Sequence, residues 1–306
     1  MLTAMNSVYG FYFDTVNIIT AACDEKLLES CMDLCAHYER IFSKTIPGSE
    51  VWRLNHANGQ EVRVCEEMRK LLDASLEIYK ASDGTFNIAV GVLIELWNFR
   101  AEQPALPDPA RIQEAIAKSD ASLIEIDGQM VRLPEGMRID LGGIAKGYIA
   151  DQVGAFLKSN GVKNALLNFG GNIVAIGPKE NGTPWKIGLQ SPGGTWGKDY
   201  WAVTELSEGT IVTSGVYERG FRINDKWYHH VLDPRTGWPV QNGLLSVTIR
   251  GTDSMIADAI ATAALVFDAP AGMKLAEEYN CQAVFLYDDG RVITGEPDLI
   301  LPGGAN

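Results

Sequence analysis

The 306-residue chain has no long uncharged apolar run, so no segment is expected to span a bilayer as a helix. Its first residues, Met1-Leu2-Thr3-Ala4-Met5-Asn6, lack a basic region followed by an apolar stretch. A secretory leader is therefore not expected, and a cytoplasmic location is. Positive charge is scarce: 26 Lys and Arg stand against 39 Asp and Glu, a formal net charge of −13. A nucleic-acid partner is disfavoured, because a phosphate backbone is gripped by clustered cations. Cysteine is scarce as well. The five (Cys23, Cys31, Cys35, Cys65 and Cys281) are an odd number without zinc-ligand spacing, which reads as reduced thiols. No internal repeat and no low-complexity tract interrupts the chain, and an apolar content of 46% excludes disorder.

What is present alternates between helical and extended patterns. Tyr9–Ala22 reads as one strand, and Lys26–Phe42 repeats apolar residues at helical spacing. Ser49 is placed to cap a short helix ending at Leu54, and Glu66–Ser82 forms a second amphipathic helix stopped by Asp83-Gly84. A proline-rich connection over 101–109 leads into a helix over 109–118, followed by short strands near 123–126 and 130–133. A helix over 148–160, strands at 165–168 and 173–176, and a strand-rich stretch over 185–240 come next. An apolar helix over 254–267 and a closing strand pair over 283–294 complete the chain. Helices and strands do not alternate strictly. The expected class is α+β, with a large, mostly antiparallel sheet and flanking helices. The chain is read as a single unit over 1–306, with two lobes around a cleft.

Five stretches carry chemistry. Asp140-Leu141-Gly142-Gly143-Ile144-Ala145-Lys146-Gly147 is a strand–turn–helix junction with unblocked backbone N–H groups and a cation at the helix start. It suits an anion, but equally a tight packing turn with Lys146 solvated. It is neither a Walker A loop nor a dinucleotide fingerprint. Asp258 and Thr262, four apart among small residues, share one helix face and can both reach a hard cation. They also fit a merely polar first turn. In Tyr228-His229-His230-Val231-Leu232-Asp233-Pro234 the adjacent histidines point to opposite faces of a strand. A two-histidine metal site is disfavoured, and a single proton-accepting histidine is compatible. Thr213–Arg219 brings Ser214, Gly215 and Tyr217 next to a turn without a nucleophile elbow. Thr85-Phe86-Asn87 follows a helix, with Phe86 able to stack on a planar ring or to enter the core.

Taken in order, these motifs resemble the ApbE family of FAD:protein FMN transferases. The resemblance begins at Asp14-Thr15-Val16, passes Phe42-Ser43 and Ser49-Glu50, and runs to about Phe267. It implies metal-dependent cleavage of FAD, transfer of FMN to a Thr or Ser of an acceptor flavoprotein, and release of AMP. It further implies that Gly142, Gly143 and Lys146 face the pyrophosphate. The Ala145 carbonyl, Asp258 and Thr262 would hold Mg²⁺, with Mn²⁺ or Ca²⁺ as alternatives. His230 would take the acceptor hydroxyl's proton or orient that hydroxyl, making His230 and Asp258 the catalytic pair. Thr85, Phe86, Asn87, Ser214, Gly215 and Tyr217 would contact the flavin nucleotide. The chain departs from the family pattern at Asn87, where Asp is usual, at Thr45, often aromatic, and at Phe13-Asp14-Thr15, where many relatives read Met-Gly-Thr. Two other readings share the same residues: an FAD pyrophosphatase giving FMN and AMP, and a flavin-binding protein without turnover.

Overall fold

The computed structural model describes residues 5–301 apart from positions 196 and 297; most of the leader region judged above, residues 1–4, lies outside the described part. The chain opens with β1 (Met5–Tyr12), β2 (Thr15–Ala22), α1 (Glu25–Phe42), α2 (Glu50–Asn55), β3 (Glu61–Arg63) and α3 (Glu66–Ala81). It continues through α4 (Gly91–Trp97), α5 (Pro109–Ile116), β4 (Glu125–Asp127), β5 (Met130–Arg132), α6 (Ala145–Ser159), β6 (Ala165–Phe169) and β7 (Asn172–Ile176). The strands β8 (Trp185–Gln190), β9 (Tyr200–Leu206), β10 (Gly209–Gly215), β11 (Gly220–Ile223), β12 (Lys226–His229) and β13 (Leu244–Gly251) follow. Helices α7 (Ser254–Val266) and α8 (Ala269–Glu278) and strands β14 (Gln282–Tyr287) and β15 (Val292–Thr294) close the described chain.

Eight strands form one sheet in the order β1-β2-β6-β7-β10-β13-β14-β15, and each neighbouring pair is antiparallel. The α+β class with flanking helices is the observed one. On one face the sheet packs against α1, α6, α7 and α8 over the main core. Helix α7 is apolar almost all round, with ten of its thirteen residues buried, as expected of a helix enclosed on every side. The other face carries the β8–β9 hairpin over a smaller cluster around Trp185, Leu189 and Ile211. A third cluster, built from Leu93, Trp97, Ile112, Phe221, Tyr228 and Leu232, joins α4 and α5 to the β11–β12 hairpin.

Local chemistry sets the helix starts. Asp24 caps α1 by accepting the Leu27 N–H, and the Ser49 hydroxyl caps α2 by accepting the Trp52 N–H. The stretch read as one strand over 9–22 is a hairpin, because Phe13 and Asp14 both take positive φ (55° and 61°). Two such residues close a two-residue turn whose twist matches the strands, but their side chains lack the Asn-Gly signature, so the apolar pattern runs through unbroken. Helix α6 begins at Ala145 rather than Tyr148, since its first turn is held from outside by another helix. Helices α4 and α8 had no counterpart in the sequence pattern. Both are short, and α4 starts at a glycine without a side-chain cap.

Candidate active site

The turn before α6 is drawn tight by Asp140. Its Oδ1 accepts the Gly142 N–H at 2.7 Å and its Oδ2 accepts the Lys44 ammonium at 2.5 Å. Burial works to raise the Asp140 carboxyl, but the Lys44 cation and the Gly142 N–H outweigh it and hold it below the usual carboxylate range. Helix α6 has no side-chain cap of its own. Instead the Asp258 carboxylate, from α7, accepts the Gly147 N–H at 3.0 Å.

That bond demands close approach of two helix backbones. A Cβ on Gly147 would lie 2.1 Å from the Ser254 carbonyl oxygen and 2.7 Å from the Met255 Cα. Only glycine fits here. The same packing brings Thr262, one turn beyond Asp258, against Gly143, where a Cβ would lie 3.0 Å from the Thr262 hydroxyl. Lys146 completes the cluster. Its ammonium donates to the Gly142 carbonyl at 2.9 Å and stands 3.5 Å from both oxygens of Asp258, whose carboxylate is nearly sealed from solvent at 1% exposure.

Near Lys146 come the segment after β10 and the residue after β12. Glu218 is near enough to feel the cluster; burial raises its carboxyl above the ordinary value, Lys146 and Arg219 pull it back, and Asp258 raises it. His230 shares the Arg219 carbonyl through both its backbone N–H and its Nδ1, each at 3.1 Å. A carbonyl only accepts, so Nδ1 carries the proton and Nε2 keeps a free lone pair. Loss of water around the ring, reinforced by the charges of Arg219 and Lys146, lowers His230 to about 4. At neutral pH the imidazole is therefore an uncharged base. His229 points elsewhere, its Nε2 donating to the Val240 carbonyl at 2.8 Å.

The turn behind His230 is anchored by the aromatic cluster. The Trp97 indole N–H donates to the Gly237 carbonyl at 2.8 Å, and Gly237, at φ 70°, leaves no room for a Cβ beside Ile112 and Leu93. The Asp233 carboxylate takes a bidentate pair from Arg235 and accepts the Arg235 N–H.

The remaining candidate residues are placed as follows. Gly215 lies under the Tyr217 ring, which a Cβ there would meet at 2.8 Å, and burial raises the Tyr217 phenol to about 12. Ser214 sits half-buried one residue before, paired with Val247. Thr85 and Phe86 are in the core, at 2% and 3% exposure; Thr85 donates to the Ser82 carbonyl, and the Phe86 ring backs Gly143. Both ends of the Asn87 side chain are engaged by backbone, its amide donating to the Ser119 carbonyl and its oxygen accepting the Ala89 N–H. The structure thus brings Gly142, Gly143, Ala145, Lys146, Asp258 and Thr262 to one point, with Phe86 behind them. Sequence reasoning missed Lys44, Asp140 and Glu218. Asp140, two residues before Gly142, carried a usable signal, since Asp commonly accepts a backbone N–H two residues on. Lys44 and Glu218 carried none.

The donors present suit a hard cation. Asp258 supplies one charged oxygen, while the Thr262 hydroxyl and the Ala145 carbonyl are neutral oxygens; Mg²⁺ favours oxygen ligands of this kind and keeps open positions for phosphate or water. Among the described residues no group of three or more His, Cys, Asp or Glu converges, so a softer transition-metal site has no ligands here. All five cysteines are free, and burial raises the Cys31 and Cys35 thiols to about 12.

A buried helix carboxylate, a glycine turn and a lysine thus meet beside the eight-stranded sheet, in the α+β class. The chain belongs to the ApbE family, whose model matches residues 10–285. An FAD:protein FMN transferase of Treponema pallidum is 34% identical over 283 residues, which is 87% of this chain and 78% of that protein. One from Klebsiella pneumoniae is 33% identical over 279 residues, covering 90% and 86%. Among solved structures, the ApbE protein of Thermotoga maritima superposes with a TM-score of 0.87 at 31% identity, covering 96% of this chain and 97% of that one. The flavin transferase ApbE of Vibrio cholerae gives 0.82 at 25% identity, covering 95% and 97%.

Proposed function

We propose that this chain is an FAD:protein FMN transferase that cleaves the FAD pyrophosphate and moves FMN onto a Thr or Ser hydroxyl of an acceptor flavoprotein, releasing AMP. The observation that carries the reading is the convergence of the Gly142–Lys146 turn with the Asp258–Thr262 face of α7, with His230 near enough to feel the Lys146 charge. Family membership and the names of the relatives support the same activity.

The hydroxyl oxygen of the acceptor attacks the FMN phosphorus, and the bond from that phosphorus to the bridging oxygen breaks toward AMP. The hydroxyl proton passes to His230 Nε2, which is neutral and available for it. Lys146 and the Gly143 backbone would face the phosphoryl oxygens, where negative charge is handled during transfer, while the Gly142 N–H stays with Asp140. Asp258, Thr262 and the Ala145 carbonyl would hold the divalent ion, Mg²⁺ by donor type. When bound, it would neutralise the charge of the pyrophosphate. Asp140 and Lys44 fix the turn from behind.

The test is to mix the protein with FAD, Mg²⁺ and a candidate acceptor flavoprotein. The expected result is an FMN-sized mass increase on the acceptor together with AMP. AMP and free FMN with an unmodified acceptor would point to the pyrophosphatase, and unchanged FAD to a binding protein.

A further inference from the structure

We propose that the Lys146 ammonium is a tethered counter-ion: it occupies the cation position of Asp258 in the metal-free protein and is expelled into the cleft when a divalent ion binds. The inference rests on the functional reading above for the presence of that ion. Asp258 is 1% exposed, and a buried carboxylate must be compensated by charge or hydrogen bonds. Among the described residues its partners are the Gly147 N–H and Lys146. The ammonium stands equidistant from the two carboxylate oxygens, at 3.5 Å, and 2.9 Å from the Gly142 carbonyl. Three oxygens surround it, which is the donor type a hard cation selects.

The distances identify a counter-ion rather than a locked hydrogen bond. At 3.5 Å each contact to Asp258 is at the outer edge of hydrogen bonding, and the lysine side chain keeps 23% of its exposure. A second carboxylate is near the released ammonium: Glu218 already feels both Lys146 and Asp258. A divalent ion on Asp258 would place three positive charges around one carboxylate. Mutual repulsion then favours release of the flexible lysine, which gives up the 2.9 Å bond to the Gly142 carbonyl and the long contact pair to Asp258 and gains water in exchange. Each metal ion bound therefore turns a neutralised lysine into a free cation facing the cleft. Metal and the FAD pyrophosphate would bind with positive coupling, each favouring the other.

The experiment uses the native protein and metal alone, without FAD. Lysines are acylated with an amine-reactive reagent, and the rate at each site is read by peptide mass spectrometry. Exposed Lys70 and Lys274 serve as internal references. Saturating Mg²⁺ is expected to raise the Lys146 rate several-fold with the references unchanged. In Asp258→Asn, Lys146 should react fast with or without Mg²⁺. In parallel, Mn²⁺ affinity is measured from the loss of the free-ion resonance signal. Lys146→Met should bind Mn²⁺ about tenfold more tightly than native protein, between the worth of an exposed and of a buried ion pair. Mn²⁺ binding by native protein with an unchanged or slower Lys146 rate under Mg²⁺ would overturn the proposal, as would equal or weaker Mn²⁺ binding by a folded Lys146→Met. If that variant does not fold, the acylation rates in native protein decide. Failure of the functional reading looks different: native protein would bind no divalent ion and would transfer no FMN.

Discussion

Two glycines of α6 give a matched pair in which one substitution should act with opposite signs. Gly147→Ala places a methyl 2.1 Å from the Ser254 carbonyl oxygen, 2.5 Å from its carbon and 2.7 Å from the Met255 Cα. Ordinary contact begins near 3.4 Å, so α6 and α7 must part by more than an ångström, and the obstructing atoms are backbone that cannot swing away. Overpacking of this kind costs on the order of 3 kcal/mol, which in a chain of this size lowers Tm by roughly 5 °C or more. The same movement takes the Gly147 N–H out of reach of Asp258, a bond now 3.0 Å long, so metal-dependent turnover should fall with stability. Gly154→Ala, two turns further along, meets only the Val174 Cγ1 at 3.7 Å. Here the gain in helix propensity, about 0.5–1 kcal/mol, should appear as an unchanged or higher Tm with native activity. Thermal unfolding and AMP release on both variants settle the matter. A Gly147→Ala protein with native Tm and native turnover would refute the helix contact as the support of the site.

Other outcomes follow from the same geometry. His230→Ala should reduce FMN transfer at least a hundredfold while leaving FAD affinity nearly unchanged, measured by flavin fluorescence titration beside the mass assay; native-rate transfer would remove His230 from the mechanism. Because His230 is lowered to about 4, kcat/KM should lose no activity through His230 as pH falls to about 5, and any loss it causes should centre near 4 rather than 6.5. Asp151 accepts the Ser254 and Met255 N–H groups at the start of α7, and burial, then the neighbouring Asp253, raises it from 3.8 to about 7. The folded state thus binds the proton more tightly than the unfolded one. Its stabilising contribution is complete below about 4 and is lost as pH rises through about 7; urea titrations of Asp151→Asn should show a flatter dependence across that window. Trp97→Phe removes the donor to Gly237 and should cost about 1–3 kcal/mol, lowering kcat more than it raises KM for FAD.

Much of this architecture was legible in the sequence because it rests on local signals. Helices α1, α3 and α7 announce themselves by apolar periodicity, and α2 by the Ser49 cap. The Gly-rich turn stood out because backbone crowding leaves few other residues possible there: Gly143 meets Thr262 and Gly147 meets Ser254. What stayed hidden depends on contacts between distant segments. Lys44 and Asp140 are 96 residues apart and make sense only as a pair. Phe86 could be read as a stacking ring or as core, and it is core, because the helix-terminal turn around Thr85 folds inward through Ser82. The hairpin turn at Phe13-Asp14 was masked by unusual residues in positive-φ positions. Trp97 could not be linked to the histidine turn from spacing, since 140 residues separate it from Gly237.

A net charge of −13 is compatible with a nucleotide substrate. Local positive charge is present at the site: Lys44 pairs with Asp140, Lys146 stands beside Asp258, and Arg219 acts on Asp140 and Glu218. Net charge describes solubility and long-range steering, and says little about a single enclosed site.

The central claim is tested most directly by counting products. The protein is incubated with FAD, Mg²⁺ and an acceptor flavoprotein, AMP is quantified, and the acceptor is mapped by tandem mass spectrometry. The account predicts one AMP for each FMN attached through a phosphoester to a Thr or Ser, with both products lost on chelation of the metal. AMP formed at the same rate without any modified acceptor would contradict it.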